Sequence, residues 1–214
     1  SAITGGAGLV LSYRIARRFR FGGWILRLVL AGVAVSALFS AGVGLVKFVA
    51  DPMSELPAIT FWLLGGLSAT TWGRLAQVAP LVVAGGVYLA SRRWRLNLLS
   101  LDDRVSFSLG AAPGRERLAL LASATVVTAS LVAIAGIVGW VGLLVPHAAR
   151  RLVGADAARV LPVSALLGAT FVLASDTVAR TLIAGEIPLG VLTSLLGAGG
   201  FIWLLARNRV RVVR

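Results

Sequence analysis

Long apolar stretches alternate with short polar segments along this chain. Seven apolar stretches predict membrane-crossing segments, at residues 1–13, 24–50, 74–91, 117–137, 139–149, 160–179 and 187–206. A helix needs about 20 mostly apolar residues to cross the hydrocarbon core of a bilayer. Most of these stretches have that length, and residues 57–66 add a short helix near the membrane interface. The pattern therefore predicts an all-α, polytopic membrane helix bundle.

Composition supports a membrane bundle and narrows the chemistry. Apolar residues make up 58 % of the 214 positions and charged residues 14 %, against about 25 % charged residues in a soluble domain. The 25 glycines suit close packing of helix backbones in lipid. Because there is no cysteine, disulfides and thiolate metal sites are excluded. We expect one transmembrane domain over residues 1–214.

The basic residues predict how the bundle lies in the membrane. Seventeen of the 21 Lys and Arg residues fall in four clusters between apolar stretches, at residues 14–20, 92–117, 150–159 and 207–214. Positive residues accumulate in cytoplasmic loops, so all four clusters and the C-terminus should be cytoplasmic. This orientation requires the short stretch 139–149 to cross only part of the bilayer, as a half-length or re-entrant passage. The net charge of +13 does not indicate nucleic-acid binding, because it is not gathered on one face.

The longest cytoplasmic connection, residues 92–116, mixes apolar and charged residues. Ser100 or Asp102 is suited to cap a short helix, and Gly110 with the following Pro113-Gly114 is suited to end it. Such a helix has two interpretations: it lies on the lipid surface, or it docks into a groove of a cytoplasmic protein. The residues alone leave both open.

Four further residues are candidates for a structural or functional role. His147 is the single histidine and, without other ligands nearby, is expected to be hydrogen-bonded structurally; Pro146 before it should break the helix. Asp176 and Arg180 are spaced to pair on one helix face, and Arg180 is also placed to meet an acidic partner. No catalytic or phosphate-binding motif is present in the sequence.

Two blocks of sequence resemble the C-terminal region of FecCD-type permeases. They are GWVGLLVPHAARRLVG and the later ASDTVARTLIAGEIPLG, which contain Pro146, His147, Arg150, Asp176 and Glu186-Ile187-Pro188. Earlier segments resemble the family in the same order, so the resemblance covers essentially the whole chain. Pro188 should lie in the first turn of the last helix.

The resemblance implies a permease of the type II ABC importer kind, for ferric siderophores, haem or cobalamin. The family has ten membrane helices per subunit, of which about seven would be present, with the first three preceding Ser1. It works with a second permease subunit, two cytoplasmic ATPases that hold ATP and Mg²⁺, and an extracytoplasmic substrate-binding protein. The chain itself would bind no cofactor or metal and would lie in the bacterial cytoplasmic membrane.

The resemblance also implies roles for particular residues. The turn that includes Gly22 and Gly23 matches the family's cytoplasmic gate, and Arg180 matches an arginine that docks the binding protein. The ATPase-coupling surface would comprise Leu98, Leu101, Asp102, Asp103, Val105, Phe107, Leu109 and Gly110. The alternative hypothesis, a piece of an ion-gradient-driven transporter, requires carboxylates or histidines near the bilayer midplane, whereas each Asp and Glu here falls near the end of a span.

Overall fold

The computed structural model describes residues 2–19, 23–182 and 185–207, and within these ranges it contains ten helices and no β-strand. The helices are α1 (Ala2–Arg18), α2 (Trp24–Val49), α3 (Glu55–Leu64), α4 (Trp72–Ser91), α5 (Arg93–Leu99), α6 (Asp103–Ser108), α7 (Pro113–Ala135), α8 (Val141–Val153), α9 (Ala157–Thr181) and α10 (Leu189–Arg207). Helices α2, α4, α7 and α9 are long and apolar enough to cross a membrane. The predicted all-α class is confirmed, and a helix lies in each predicted apolar stretch.

The helices pack in two groups. In the first, α1 packs against α2 and α7, and α4 packs against α7; in the second, α8 packs against α9, and α10 contacts both. Helix α5 contacts α4 of the first group and α9 of the second, and so joins the two groups. Helix α3 contacts α10. Glycine makes the closest approach possible, because a Cβ at Gly85 of α4 would overlap the side chain of Val127 on α7.

The helices extend further into the basic clusters than the apolar pattern predicts. Helix α1 continues to Arg18, so Arg14 and Arg17 lie on its last turns, and α7 begins at Pro113, so Arg115 and Arg117 lie on its first turns. Arginine continues a helix well and its long side chain reaches the interface from within the membrane. Hydropathy therefore predicts both helices too short at their basic ends.

Most of the basic residues in the described ranges gather at one end of the bundle, which we call the basic end. Tyr13 near the end of α1, Trp24 at the start of α2 and Arg115 at the start of α7 line one pocket there, together with Asp103 of α6. Asn97 of α5 meets the start of α9 at the same end. The opposite end holds the last turn of α3, the first turns of α4 and α10, and the last turns of α7 and α9.

The stretch predicted to be a half-length passage contains a short helix, and its passage through the membrane stays a prediction. Residues 136–140 are not helical, and α8 then runs for only 13 residues. The Trp140 ring lies 6.2 Å from the ring of Phe201, deep along α10. Gly190 and Gly197 of α10 face this stretch, and a Cβ at either glycine would overlap Ile137 or Trp140. Irregular backbone at membrane depth is tolerated where protein covers it. These two glycines let α10 lie close enough to cover residues 136–140.

Two predictions about proline are wrong. Pro146 does not break the helix, since α8 runs without interruption from Val141 to Val153. The ring removes only one hydrogen bond, and packing against α9 compensates for it. Pro188 does not lie in the first turn of α10, which begins at Leu189. Its carbonyl instead accepts hydrogen bonds from the amides of Val191 and Leu192, so Pro188 occupies the position just before the helix.

Candidate docking sites at the two ends of the bundle

Helices α5 and α6 form a compact unit at the basic end, which we call the α5–α6 segment (residues 93–110). Asp102 caps α6, because its side chain accepts from the amide of Arg104 at 2.9 Å. At the other end Gly110 has φ +80°, and the amides of Gly110 and Ala111 donate to the carbonyls of Phe107 and Ser106, both at 3.0 Å. The six-residue helix α6 is therefore capped by hydrogen bonds at both ends.

These caps decide between the two predicted start signals. Asp102 is confirmed as the cap of α6 and Gly110 as its end. Ser100 instead ends α5, with its hydroxyl donating to the carbonyl of Asn97 at 2.6 Å.

Polar contacts hold the α5–α6 segment against α7. Ser106 is fully buried and its hydroxyl donates to the carbonyl of Leu98 at 2.6 Å, which ties α6 to α5. Arg117 of α7 donates to the carbonyl of Leu99 at 3.1 Å and pairs with Asp103 at 2.7 Å. Arg95 also pairs with Glu116. The segment is thus attached to the start of α7 at three points.

The outer surface of the α5–α6 segment mixes apolar and polar side chains. Of the residues predicted to couple to an ATPase, seven are exposed: Leu101, Asp102, Asp103, Val105, Phe107, Leu109 and Gly110. Phe107 has 73 % of its surface accessible. Leu98 is half-buried, so it supports this surface without belonging to it. We call Leu101, Val105, Phe107 and Leu109 the apolar docking surface.

Sequence reasoning missed residues in this region. Trp94 of α5 is exposed within the segment, and an aromatic residue in a basic connection is a signal that the sequence offers. Asn97 makes hydrogen bonds to Asp156 and Ala157, about 60 positions away in the chain. No local pattern indicates that contact. Ser106 is the only buried residue of α6. A six-residue helix is too short for the spacing of its apolar residues to predict which side is buried.

Asp156 sits where the segment meets α9. Its side chain accepts from Asn97 at 2.7 Å and caps α9 by accepting from the amide of Ala158 at 3.0 Å. These hydrogen bonds hold the pKa of Asp156 below its usual range, led by the one from Asn97, with help from the charges of Arg159 and Arg93. The carboxylate is therefore ionised at neutral pH.

The opposite end carries a cleft of about 420 Å³, which we call the outer cleft. Its wall is built on backbone contacts: Gly66 donates to the carbonyl of Ala135 at 2.8 Å and Leu189 donates to that of Gly65 at 3.0 Å. Gly65 has φ +71°, and a Cβ there would press against the carbonyl of Ile137. Glycine is required at this junction of α3, α7 and α10.

Charged residues line the outer cleft. Arg180 pairs with Asp176 through two hydrogen bonds of 2.8 and 3.3 Å, which confirms the predicted pairing on one helix face. The Arg180 side chain remains 42 % exposed. Glu186 and Arg74 line the same cleft, and the Arg74 guanidinium donates to the carbonyl of Ala69 at 3.2 Å. The role of Arg180 in docking a partner stays a prediction.

The turn between α1 and α2 is only partly described. Gly22 lies outside the described residues, and Gly23 precedes α2 in an extended conformation. The rings of Tyr13 and Trp24 meet edge to face at 5.4 Å across the two helices. Arg27 donates to the carbonyl of Phe19 at 2.6 Å. These contacts hold α1 and α2 together beside the predicted gate.

The block around His147 has a structural setting. His147 is half-buried and its ring meets that of Phe201 edge to face at 6.1 Å. Arg150 is exposed, and its carbonyl accepts from the amide of Gly154 where α8 ends. The neighbouring Arg151 donates to the carbonyl of Leu204, which joins α8 to α10. Within the described residues, no group of His, Asp and Glu is arranged to hold a metal ion.

Comparison with known proteins gives this arrangement a family. The profile of the FecCD transport family matches residues 1–207. The chain belongs to the FecCD transport family. It is 44 % identical over 177 residues to the molybdate import system permease protein MolB of Haemophilus influenzae, covering 81 % of this chain and 52 % of MolB. It is 38 % identical over 203 residues to the hemin transport system permease protein HmuU of Yersinia pestis, covering 94 % of this chain and 60 % of HmuU.

A solved structure shows the same fold. It is an inward-facing conformation of an ABC transporter described as metal-chelate type, with a TM-score of 0.90 and 37 % sequence identity. The match covers 96 % of this chain and 65 % of that chain. The chain thus spans about half to two thirds of the length of the FecCD relatives it matches, and the predicted resemblance is confirmed.

Proposed function

We propose that this chain is part of the permease of an ABC importer that carries a ferric siderophore, haem or cobalamin inward by alternating access. The single observation that carries the proposal is the apolar docking surface, held at the basic end by buried polar contacts. The named activities of relatives support it, since MolB and HmuU are permease proteins for molybdate and hemin.

The shape of α6 favours docking to a protein over lying on lipid. Val105 and Phe107 are separated by about 200° around the helix axis, yet both are exposed. A helix lying on a bilayer gathers its apolar side chains on one face and its charges on the other. Here apolar side chains point to different sides of a six-residue helix, which does not match a helix lying on a bilayer.

The proposed partners follow from the two ends. At the basic end one ATPase subunit would bind the apolar docking surface of each permease subunit, and the two ATPases would hydrolyse ATP with Mg²⁺. At the other end an extracytoplasmic binding protein would dock near Arg180, and a second permease subunit would complete the path. Gly22 and Gly23 would belong to its cytoplasmic gate. The positive charge at the basic end supports an orientation in the cytoplasmic membrane with that end and the C-terminus inside.

The alternative, a transporter driven by an ion gradient, has less support. The acidic residues within the described ranges lie in connections or near helix ends, as with Asp102, Glu116 and Asp156. Asp176, the most deeply placed in α9, is already paired with Arg180. Proton and sodium pathways use ionisable groups near the bilayer midplane, and these residues are not placed there.

The test uses the full-length transporter that contains this chain, purified with its ATPase and binding protein and placed in lipid vesicles. ATP-dependent uptake of ferric siderophore, haem, cobalamin and molybdate is measured separately. Phe107→Asp should abolish ATPase binding and uptake, because it places a charge in an apolar contact. Ser108→Asp, the same charge one residue further on the exposed side of α6, is the matched control and should retain both.

Two results would contradict the proposal. Uptake that proceeds without ATP and follows a proton or sodium gradient would favour the alternative. Normal ATPase binding and uptake with Phe107→Asp would show that the partner docks elsewhere.

A further inference from the structure

Asn97 links the α5–α6 segment to the start of α9 with both ends of its amide. Its Nδ2 donates to Oδ1 of Asp156 at 2.7 Å, and its Oδ1 accepts from the amide of Ala157 at 2.8 Å. Asp156 and Ala157 are the cap and the first residue of α9. Among the described residues, Asn97 is the one member of the segment that hydrogen-bonds to α9. The hydrogen-bonded part of the link therefore depends on a single side chain.

Helix α9 connects this link to the outer cleft. It runs without interruption for 25 residues, about 37 Å at 1.5 Å per residue. Its last turns carry Asp176 and Arg180, which line the outer cleft, and the carbonyl of Ala179 accepts from the amide of Ile187 at 3.2 Å. A displacement of the start of α9 along its axis therefore reaches the cleft wall and the start of α10.

The opposite wall of the same cleft belongs to α7. Residues 133–135 at the end of α7 line it, and the start of α7 is attached to the segment through Arg117 and Glu116. The α5–α6 segment thus contacts the starts of two helices whose ends line one cleft. A rotation of the segment shifts α9 relative to α7 only if both attachments hold.

We propose that Asn97 is a positioning residue that transmits movement of the α5–α6 segment to α9, and so couples the ATPase end of the permease to the outer cleft. This inference rests on the proposed function, because it requires a partner that moves the segment. It adds a transmission element, the Asn97–Asp156–Ala157 link, to the docking surface described above.

The geometry allows an exchange test. Asn97→Asp leaves a carboxylate facing the carboxylate of Asp156, so the attraction becomes repulsion. The exchanged pair Asn97→Asp with Asp156→Asn removes the repulsion: Asp at 97 accepts from Ala157 and from the new amide, once the Asn side chain at 156 turns so that its Nδ2 faces residue 97 while its oxygen still caps α9. Asp156→Asn alone keeps both hydrogen bonds, because they use Oδ1, and removes only the charge that faces Arg159; it is the matched control.

The complete transporter with its ATPase and binding protein is assayed for uptake, ATP hydrolysis and cleft movement. The chain has no cysteine, so Ala69→Cys and Thr181→Cys introduce a spin-label pair across the outer cleft. With Asn97→Asp we expect substrate taken up per ATP to fall about tenfold, the factor for losing one charge-assisted hydrogen bond. The ATP-induced change in label distance should disappear, while ATPase binding stays within about twofold. The exchanged pair and Asp156→Asn should behave as the wild type.

Each outcome bears on one claim. Normal uptake per ATP and label movement with Asn97→Asp would overturn the proposed transmission role, as would an exchanged pair that stays uncoupled while Asp156→Asn is normal. If the wild-type complex itself shows no ATP-driven uptake, the proposed function fails, independently of Asn97. If Asn97→Asp does not fold, the exchanged pair and the control still decide the question.

Discussion

Replacement of Arg117 should loosen the surface that we propose binds the ATPase. Arg117 belongs to α7 but reaches both short helices, donating to the carbonyl of Leu99 and pairing with Asp103. Its side chain is only 16 % exposed. Arg117→Met keeps the length and the apolar stem of the side chain but removes both polar contacts. The α5–α6 segment should then open more often without the rest of the bundle unfolding.

The size of the effect follows from the surroundings of each contact. A hydrogen bond from a charged group to a part-buried carbonyl contributes about 1.5–3 kcal/mol. The ion pair adds only about 0.5 kcal/mol, because the Asp103 carboxylate is 61 % exposed and screened by water. Together they give about 2–3.5 kcal/mol, which is roughly a 30- to 350-fold increase in local opening.

Hydrogen exchange measures that opening directly. The amides of Gly110 and Ala111 are good reporters, since both are bonded within the end of α6. Their exchange, followed by mass spectrometry in detergent, should accelerate by about 50-fold in Arg117→Met. Arg115→Met is the control, because Arg115 is exposed on the same helix. An acceleration below about threefold, or an equal one in the control, would refute the role assigned to Arg117.

Three further predictions concern other parts of the bundle. Gly190→Val should lower the free energy of unfolding, measured by heating in detergent, by about 1–3 kcal/mol, because its side chain would overlap the carbonyl of Leu64. Gly199→Ala, at an open position, is the control and should leave the stability unchanged. Equal losses in the two variants would contradict the packing argument. Arg180→Glu should weaken binding of the docking protein at low salt, and an unchanged affinity there would reject that role. The pKa of Asp156 is lowered, so the stabilisation that its charge adds to the link with Asn97 should be fully present above the unfolded value of 3.8 and lost only as pH falls through the lower folded value. Opening of the start of α9, followed by amide exchange corrected for its intrinsic pH dependence, that increases already between pH 7 and 5 would contradict this.

Much of the fold could be predicted from local patterns. The apolar stretches predict the long helices, and the basic cluster around residues 92–117 indicates the end of the bundle where the α5–α6 segment lies. Asp102 and Gly110 are recognisable as the cap and end of α6, since capping depends on residues within one turn. The pairing of Asp176 with Arg180 is also local, one helical turn apart. The same reasoning failed at Pro146, where packing against α9 outweighs the missing hydrogen bond.

The sequence by itself determined that this is a helical membrane bundle with a basic end, because hydropathy and charge act on each segment separately. Only the tertiary structure decided which distant groups meet. Asn97 meets Asp156, and Gly190 meets the irregular backbone near Ile137. It also decided that Phe107 is exposed while Ser106, the residue before it, is buried. These outcomes depend on how neighbouring helices cross, and a periodic pattern along one helix carries no information about its neighbours.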